Sequence, residues 1–455
     1  MNGAEVVTHS VKQNFVYKDP LSFDSYKDVF GFEYLLGQGN RIQITITIPS
    51  VFVDHMYELA AVDQRKLMHL NGINRMDVPI TFIKTHYQGL LSSHLKDFLL
   101  KFCIFDFMYD QLHKHKICLS IWPVVVAFDI EPSQDAKCLF EAFYVETMQL
   151  KEWKLFPFKM PKRKNYKDLD RQAENFIEHE TEHTKTSPEL TVDYLDWVFF
   201  KVTVVTDISY FNIVPLEAYF WLRMDDAEIN TELRDLFLYK KIGDTFTTQT
   251  AELQTFFSQK HLSNYLFSIT ILDIDSYAQV CFNNFKHFFK IKTQKDLHKK
   301  LVEVFSFRND ISQRRSIVDE ALAVLTHRHQ VTAPAWLVEE QKKKVLASVK
   351  KNHDYNVYKR QADFEQRIEE LAHKQIKDSI IVDQIAHDEK MDVTLQDLKS
   401  YLNLTKRARL RNFFCFELPT TEVDGQQMPI SLQSLKQLCL REKTVNYIIY
   451  YLTKK

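Results

Sequence analysis

Residues Arg41–Ile48 alternate without a break. Ile42, Ile44, Ile46 and Ile48 fall on one side, and Gln43, Thr45 and Thr47 on the other. A period of two over eight residues predicts a half-buried strand of an antiparallel sheet. Pro49 then punctuates, and Ser50 is placed to cap a helix by accepting an early backbone N–H. Phe52, Met56, Leu59, Val62 or Asp63, and Leu67 recur at helical spacing, so the helix is expected to run toward Asn71-Gly72, where glycine suits a helix end. Gly72 to Pro79 then reads as a polar turn held out from a packed β–α unit. A second apolar helical stretch follows, with Phe82, Leu90, Leu91, Leu95, Phe98, Leu99 and Phe102. Turns presented in this way serve docking more often than catalysis.

The remaining chain divides by pattern. Leu119–Phe128 and Cys138–Val145 read as strands of a connector, and Lys159–Lys167 breaks the pattern with charge and proline. A polar helix is expected from about Asp168 to His183. Asp196–Val205 and Tyr265–Leu272 are rich in β-branched and aromatic residues, with a short helix at 230–238 and a turn at Gly243 between them. From about Tyr277 onward helices dominate. Leu297, Leu301, Val304 and Phe305 recur at helical spacing, as do Ile317, Ala321, Leu322 and Leu325. A long charged helix carries Phe364, Ile368, Leu371, Ile376, Ile380 and Ile385, and Pro334 suits the first turn of the helix that opens with Trp336.

At 455 residues the chain is too long for one core. Its 59 basic and 60 acidic residues leave a net charge of -1, giving no global drive toward DNA or an anionic membrane. Only 8 glycines, and no Gly-x-x-x-x-Gly-Lys, argue against a nucleotide loop and for long helices. Cys103, Cys118, Cys138, Cys281, Cys415 and Cys439 are scattered, as expected of free thiols in a reducing compartment. The first residues lack the pattern of a signal peptide, and the longest apolar run, Ile121–Phe128, is far below the ~20 residues that span a bilayer. A cytoplasmic protein without cofactors is expected.

The frame Gly72…Pro79, with apolar Ile73, resembles the ribosome-docking turn Gly-Phe-Arg-x-Gly-Lys-x-Pro of the trigger factor family. Asn74, Met76 and Asp77 depart from it, and Arg75 offers a displaced positive charge. Val331–Glu340 and Ile385–Leu398 are similar to stretches of that family's C-terminal region, and the order of head, β-rich middle and helical tail matches it. The resemblance implies an α+β multidomain fold. Its parts are an N-terminal head (1–120), a linker (121–189), an FKBP-like antiparallel β domain (190–275) and an all-α C-terminal domain with long arms (276–455). It implies an ATP-independent chaperone for unfolded or nascent polypeptides, aiding folding and export, with the ribosome as a further partner. Client contacts are then expected at Trp336, Leu337, Phe364, Ile368, Leu371 and Ile380.

The middle segment occupies the place of the family's prolyl isomerase, so isomerisation is the alternative activity. Such chemistry needs an aromatic pocket that grips proline and desolvates its amide, lowering a barrier of ~18–20 kcal/mol. Here Val202 stands where the family carries an aromatic, Val204 where it carries glycine, and Asn230–Leu233 replaces the pocket floor. Leu233, Phe237, Phe246, Phe256, Phe257 and Phe267 are the side chains from which a groove would be rebuilt. A remoter alternative is a zinc hydrolase built on His179, Glu180 and His183, a literal H-E-x-x-H. Its polar flanks and the lack of a third-ligand motif favour a solvated linker helix, so no metal is expected. The 35 Phe and 20 Tyr are mostly core, but arms projecting from a small body cannot hide every apolar side chain.

Overall fold

The computed structural model describes residues 26–37, 40–67, 77–115, 117, 119, 123–144, 150, 152–158, 168–183, 190–205, 216–224, 231–258, 264–277, 282–306, 311–350, 355–406, 408–411, 413–416, 422–423 and 426–453. They form an α+β fold with two larger antiparallel sheets and a helical C-terminal region, the class expected from the sequence.

The head begins with β1 (Gly31–Leu36) and β2 (Arg41–Ile48), followed by α1 (Ser50–Leu67), α2 (Ile80–His86) and α3 (Gln88–Leu99). A π-turn at Leu100–Ile104 leads into α4 (Phe105–Lys114). All four isoleucines of β2 are wholly buried, as the alternation demands. Ser50 is not the cap. The Pro49 carbonyl already accepts from Phe52 and Val53, so Ser50 sits inside the first turn and its N–H goes to Asp135 Oδ1 at 2.8 Å.

The two strands expected in the linker belong to the head. β3 (Val124–Asp129) and β4 (Ala136–Phe143) complete a sheet of order β1-β2-β4-β3. β4 pairs with β2 along its whole length, from Arg41↔Phe143 to Ile48↔Ala136. The physical reason is that Cys138, Phe140 and Ala142 alternate inward as the isoleucines do, so β4 buries its apolar face only beside β2.

After α5 (Leu169–His183) come β5 (Trp197–Val205), β6 (Glu217–Arg223), α6 (Glu232–Phe237), β7 (Thr245–Thr248), α7 (Ala251–Phe257) and β8 (Leu266–Asp275). Gly243, at φ 93, turns the chain into β7, a conformation that costs glycine least. The strand order is β6-β5-β8-β7. Trp197, Val198, Phe199 and Phe200 are all buried, so this part of β5 is covered on both faces. Val198, Phe200, Val202 and Val204 share a core with the head, including Phe98 and Phe102. Trp197 and Phe199, with Trp221, share another with the C-terminal helices.

Those helices are α8 (Phe282–Phe288), α9 (Gln294–Ser306), α10 (Ile311–Arg328), α11 (Ala335–Lys350), α12 (Tyr355–Tyr358), α13 (Phe364–Asp388), α14 (Leu395–Thr405) and α15 (Ala408–Arg411). The Thr394-x-x-Asp397 part of the C-terminal sequence pattern is a capping box at the start of α14. The short strands β9 (Glu422–Val423), β10 (Gln426–Gln427) and β11 (Ile430–Ser431) precede α16 (Leu432–Thr453). β11 pairs with β6, so the C-terminal region supplies the fifth strand of the middle sheet.

Glu442 of α16 is wholly buried, and its Oε1 accepts the N–H groups of Cys415 and Phe416 at 2.5 Å each. Burial pushes its carboxyl up to about 7, against the pull of those donors and of Arg314. Between its ordinary value of 4.5 and about 7, the folded chain keeps a proton that the unfolded chain has lost. Stability therefore falls as pH rises through that window, by an amount of roughly 3 kcal/mol if the shift is fully expressed. Glu442→Gln keeps a neutral acceptor. Thermal melts are expected to show a higher Tm for the variant at pH 8 and no gain at pH 4.5; equal gains at both would contradict a titrating Glu442.

Candidate client-binding surface

α11 and α13 pack side by side as a helical hairpin, joined through α12. Pro334 precedes the hairpin, and its carbonyl accepts from Leu337 and Val338, so the missing proline N–H costs no helical bond. In the first half of α13, Ile368, Ala372, Ile376 and Ile380 are buried at a spacing of four. That is one apolar stripe, closed against Leu337, Val338 and Val345 of α11 in the same core. Glu365, Gln366, Arg367, Glu369 and Glu370 are exposed on the outer side. From Ile380 to Ala386 every residue is buried, so the same helix passes from a one-sided arm into the body. Asp383 meets this burial with a paired charge, accepting from Arg441 Nη2 at 2.7 Å and Nε at 3.0 Å.

The client candidates fall into three environments. Leu337, Ile368 and Ile380 are buried between the helices. Trp336 and Phe364 are half-buried: the Arg41 guanidinium lies 5.3 Å from the Trp336 ring, and Tyr355 meets Phe364 edge-on at 6.2 Å. Leu371 is open to solvent at 40%. Two further exposed residues, Val357 at 64% and Tyr358 at 40%, lie on α12 at the turn of the hairpin. Their signal in the sequence is a pair of large apolar residues in a short helix too small to bury them. The arm thus presents Val357, Tyr358 and Leu371 within a rim of charged and amide side chains, an arrangement suited to many weak apolar contacts.

Elsewhere the expected residues are placed as follows. Val202, Leu233, Phe237, Phe257 and Phe267 are buried, while Phe246 and Phe256 are half-buried. Phe237 packs on Phe200 at 4.9 Å and Phe246 at 5.4 Å, and Phe257 on Phe102 of the head at 5.0 Å. Gly72, Ile73, Asn74, Arg75 and Met76 lie outside the described residues. Asp77 and Pro79 are exposed. Nearby, Lys84 pairs with Glu58, and Lys66 lies 4.0 Å from Asp63. His179 is exposed on α5 and Glu180 is buried; the side chain of His183 is outside the described set. Among the described residues no cluster of three or more His, Cys, Asp or Glu is arranged to hold a metal ion, and no helix is long and apolar enough to cross a membrane.

Residues 293–412, from the start of α9 through α15 and including the whole hairpin, match the family described as the C-terminus of the bacterial trigger factor protein. A solved structure described under promiscuous substrate recognition in the folding and assembly activities of the trigger factor chaperone is 13% identical. It covers 92% of this chain and 98% of its own, with a TM-score of 0.33. No curated protein matches the chain. The likeness of this chain to the trigger factor family thus lies in its C-terminal helical region.

Proposed function

We propose that this protein is a chaperone that holds unfolded or nascent polypeptides without ATP and so assists folding and export. The observation that carries this reading is the α11–α13 hairpin, which leaves Val357, Tyr358 and Leu371 uncovered inside the region matched by the family. Each such contact is individually weak, and a rim of charge keeps the arm soluble between clients. The full chain at equimolar ratio is expected to suppress light scattering from a denatured client diluted into buffer without ATP. Val357→Asp with Tyr358→Asp should reduce that suppression about threefold or more while leaving Tm nearly unchanged, because exposed substitutions shift stability by only about 0.5 kcal/mol. Unaltered suppression would remove the arm from the client site.

The isomerase reading bears on the same sheet differently. A groove that grips proline needs accessible aromatic walls, and five of the seven expected residues are buried in the core shared with the head. Excising residues 190–275 would strip both covered faces of that sheet, so the full chain is the proper sample. It is expected to leave the isomerisation rate of a proline peptide at background; a clear acceleration would establish the enzyme.

Ribosome docking through Gly72–Pro79 is part of the proposal in a weakened form. Asp77 opposes phosphate, and the pairing of Lys84 with Glu58 reduces the positive field beside the turn. Co-sedimentation with ribosomes at low salt should strengthen for Asn74→Arg with Asp77→Lys and weaken for Arg75→Ala. Tight binding indifferent to all three changes would move docking elsewhere.

A further inference from the structure

The segment Glu152–Phe158 crosses the helical region as a strap of sequence Glu-Trp-Lys-Leu-Phe-Pro-Phe. Glu152, at φ 61, bends the chain into one tight turn at Trp153–Leu155, after which Phe156 is extended. Trp153 is buried, whereas Leu155 is 63% exposed. Between them, the Lys154 side chain enters a cage. Its Nζ lies 2.7 Å from Glu389 at the C-terminal end of α13, and 4.8 and 5.3 Å from the rings of Tyr451 and Tyr447 on α16. The two tyrosines are four residues apart on one helical face, with ring centroids 4.6 Å apart. Tyr447 donates its hydroxyl to Glu389 Oε2 at 2.6 Å, fixing the carboxylate. Phe156 then lies 5.5 Å from the His329 ring and 5.8 Å from the Arg328 guanidinium, beyond the end of α10 and at its last turn.

Two aromatic faces and an oriented carboxylate form a receptor for a cationic side chain. Burial alone would raise the Glu389 carboxyl. The Lys154 ammonium and the Tyr447 hydroxyl outweigh that effect and hold it below its ordinary value, so the site favours a cation. Nothing in these contacts is specific to a tethered lysine. A lysine or arginine flanked by aromatic residues on another extended chain would make the same ones.

We propose that this cage is a client subsite for a basic residue beside an aromatic one, and that the strap occupies it as a built-in competitor until a client arrives. The proposal rests on the chaperone reading and deepens it. A tethered competitor acts at an effective concentration of about a millimolar, so a single client residue cannot displace it. A client that also engages the arm tip gains the extra contacts needed, and the strap thereby screens out short or folded segments.

The test uses a fluorescently labelled peptide of the strap's own sequence, residues 152–158, with the full-length chain. Anisotropy should report at least about fivefold tighter binding to the Lys154→Ala chain than to the unaltered chain, because the competitor is weakened. Adding Tyr451→Ala should abolish that gain, and the peptide carrying Lys154→Glu should bind at least about tenfold more weakly. As a readout that needs no variant, excess peptide should speed amide hydrogen exchange at residues 153–156 of the unaltered chain. Equal affinities with unchanged exchange would overturn the subsite. Aggregation suppression measured on the same samples separates the two claims. Suppression without any peptide effect rejects the cage alone, and peptide exchange without suppression rejects the chaperone reading alone.

Discussion

The five-stranded sheet has no free face along the first half of its central strand, and the arrangement of everything else follows from that. Trp197 to Phe200 are four consecutive large apolar residues, and alternation sends them in pairs to opposite sides. One pair needs the head and the other needs the C-terminal helices. Leaving either side open would expose aromatic surface at roughly 25 cal/mol per Å², several kcal/mol for rings of this size. The sheet therefore acts as a wall between two cores. Opposite Phe199 and Phe200 the register shifts, leaving Leu272 of β8 as an extra residue within this doubly covered stretch.

β8 ties the wall to both sides at its two ends. At its start, Asp63 of α1 accepts the Asn264 N–H, and His94 of α3 meets the Tyr265 hydroxyl at 2.8 Å. At its end, Lys399 pairs with Asp273 at 2.7 Å, Asn403 donates to Asp275 at 3.0 Å, and Lys406 lies 2.6 Å from Asp275. Lys406 and Asp275 are both buried, so their attraction is largely offset by the water they give up. What the pair contributes is position: any slide of α14 along β8 would leave a buried charge without its partner. A strand ten residues long thus fixes the placement of the helical region relative to the head.

Local patterns carried through to the structure, and long-range pairing did not. β2, β5, β8 and the apolar stripe of α13 were legible because their periodicities need only neighbours in sequence. Assigning β3 and β4 to a linker failed because nothing near Cys138 or Phe140 in the sequence records that β2, about ninety residues earlier, offers the matching face. Lys406 stands among Arg407, Arg409 and Arg411, a composition that ordinarily faces solvent, and only the fold brings Asp275 to it. The aromatic residues of the middle segment were ambiguous for a related reason. Composition cannot distinguish a groove from a core, and here the decision lies with Phe98 and Phe102 of the head, which pack against Phe257.

On the chaperone reading proposed above, the arm has to meet a conflict, since apolar side chains that attract clients also attract each other and the body. In the projecting half of α13 the apolar residues form a single stripe already closed by α11, so the hairpin is stable without further cover. The exposed remainder, Val357, Tyr358 and Leu371, is small and stands among charges, which limits self-association. Beyond Ile380 the helix is buried all round and anchored by Asp383 and Arg441, so a load on the tip is borne by the core around α16. That same helix pair, α13 and α16, supplies Glu389, Tyr447 and Tyr451 to the cage holding Lys154. Tip and cage therefore stand at the two ends of one helix, α13, which runs from Phe364 to Asp388 just before Glu389.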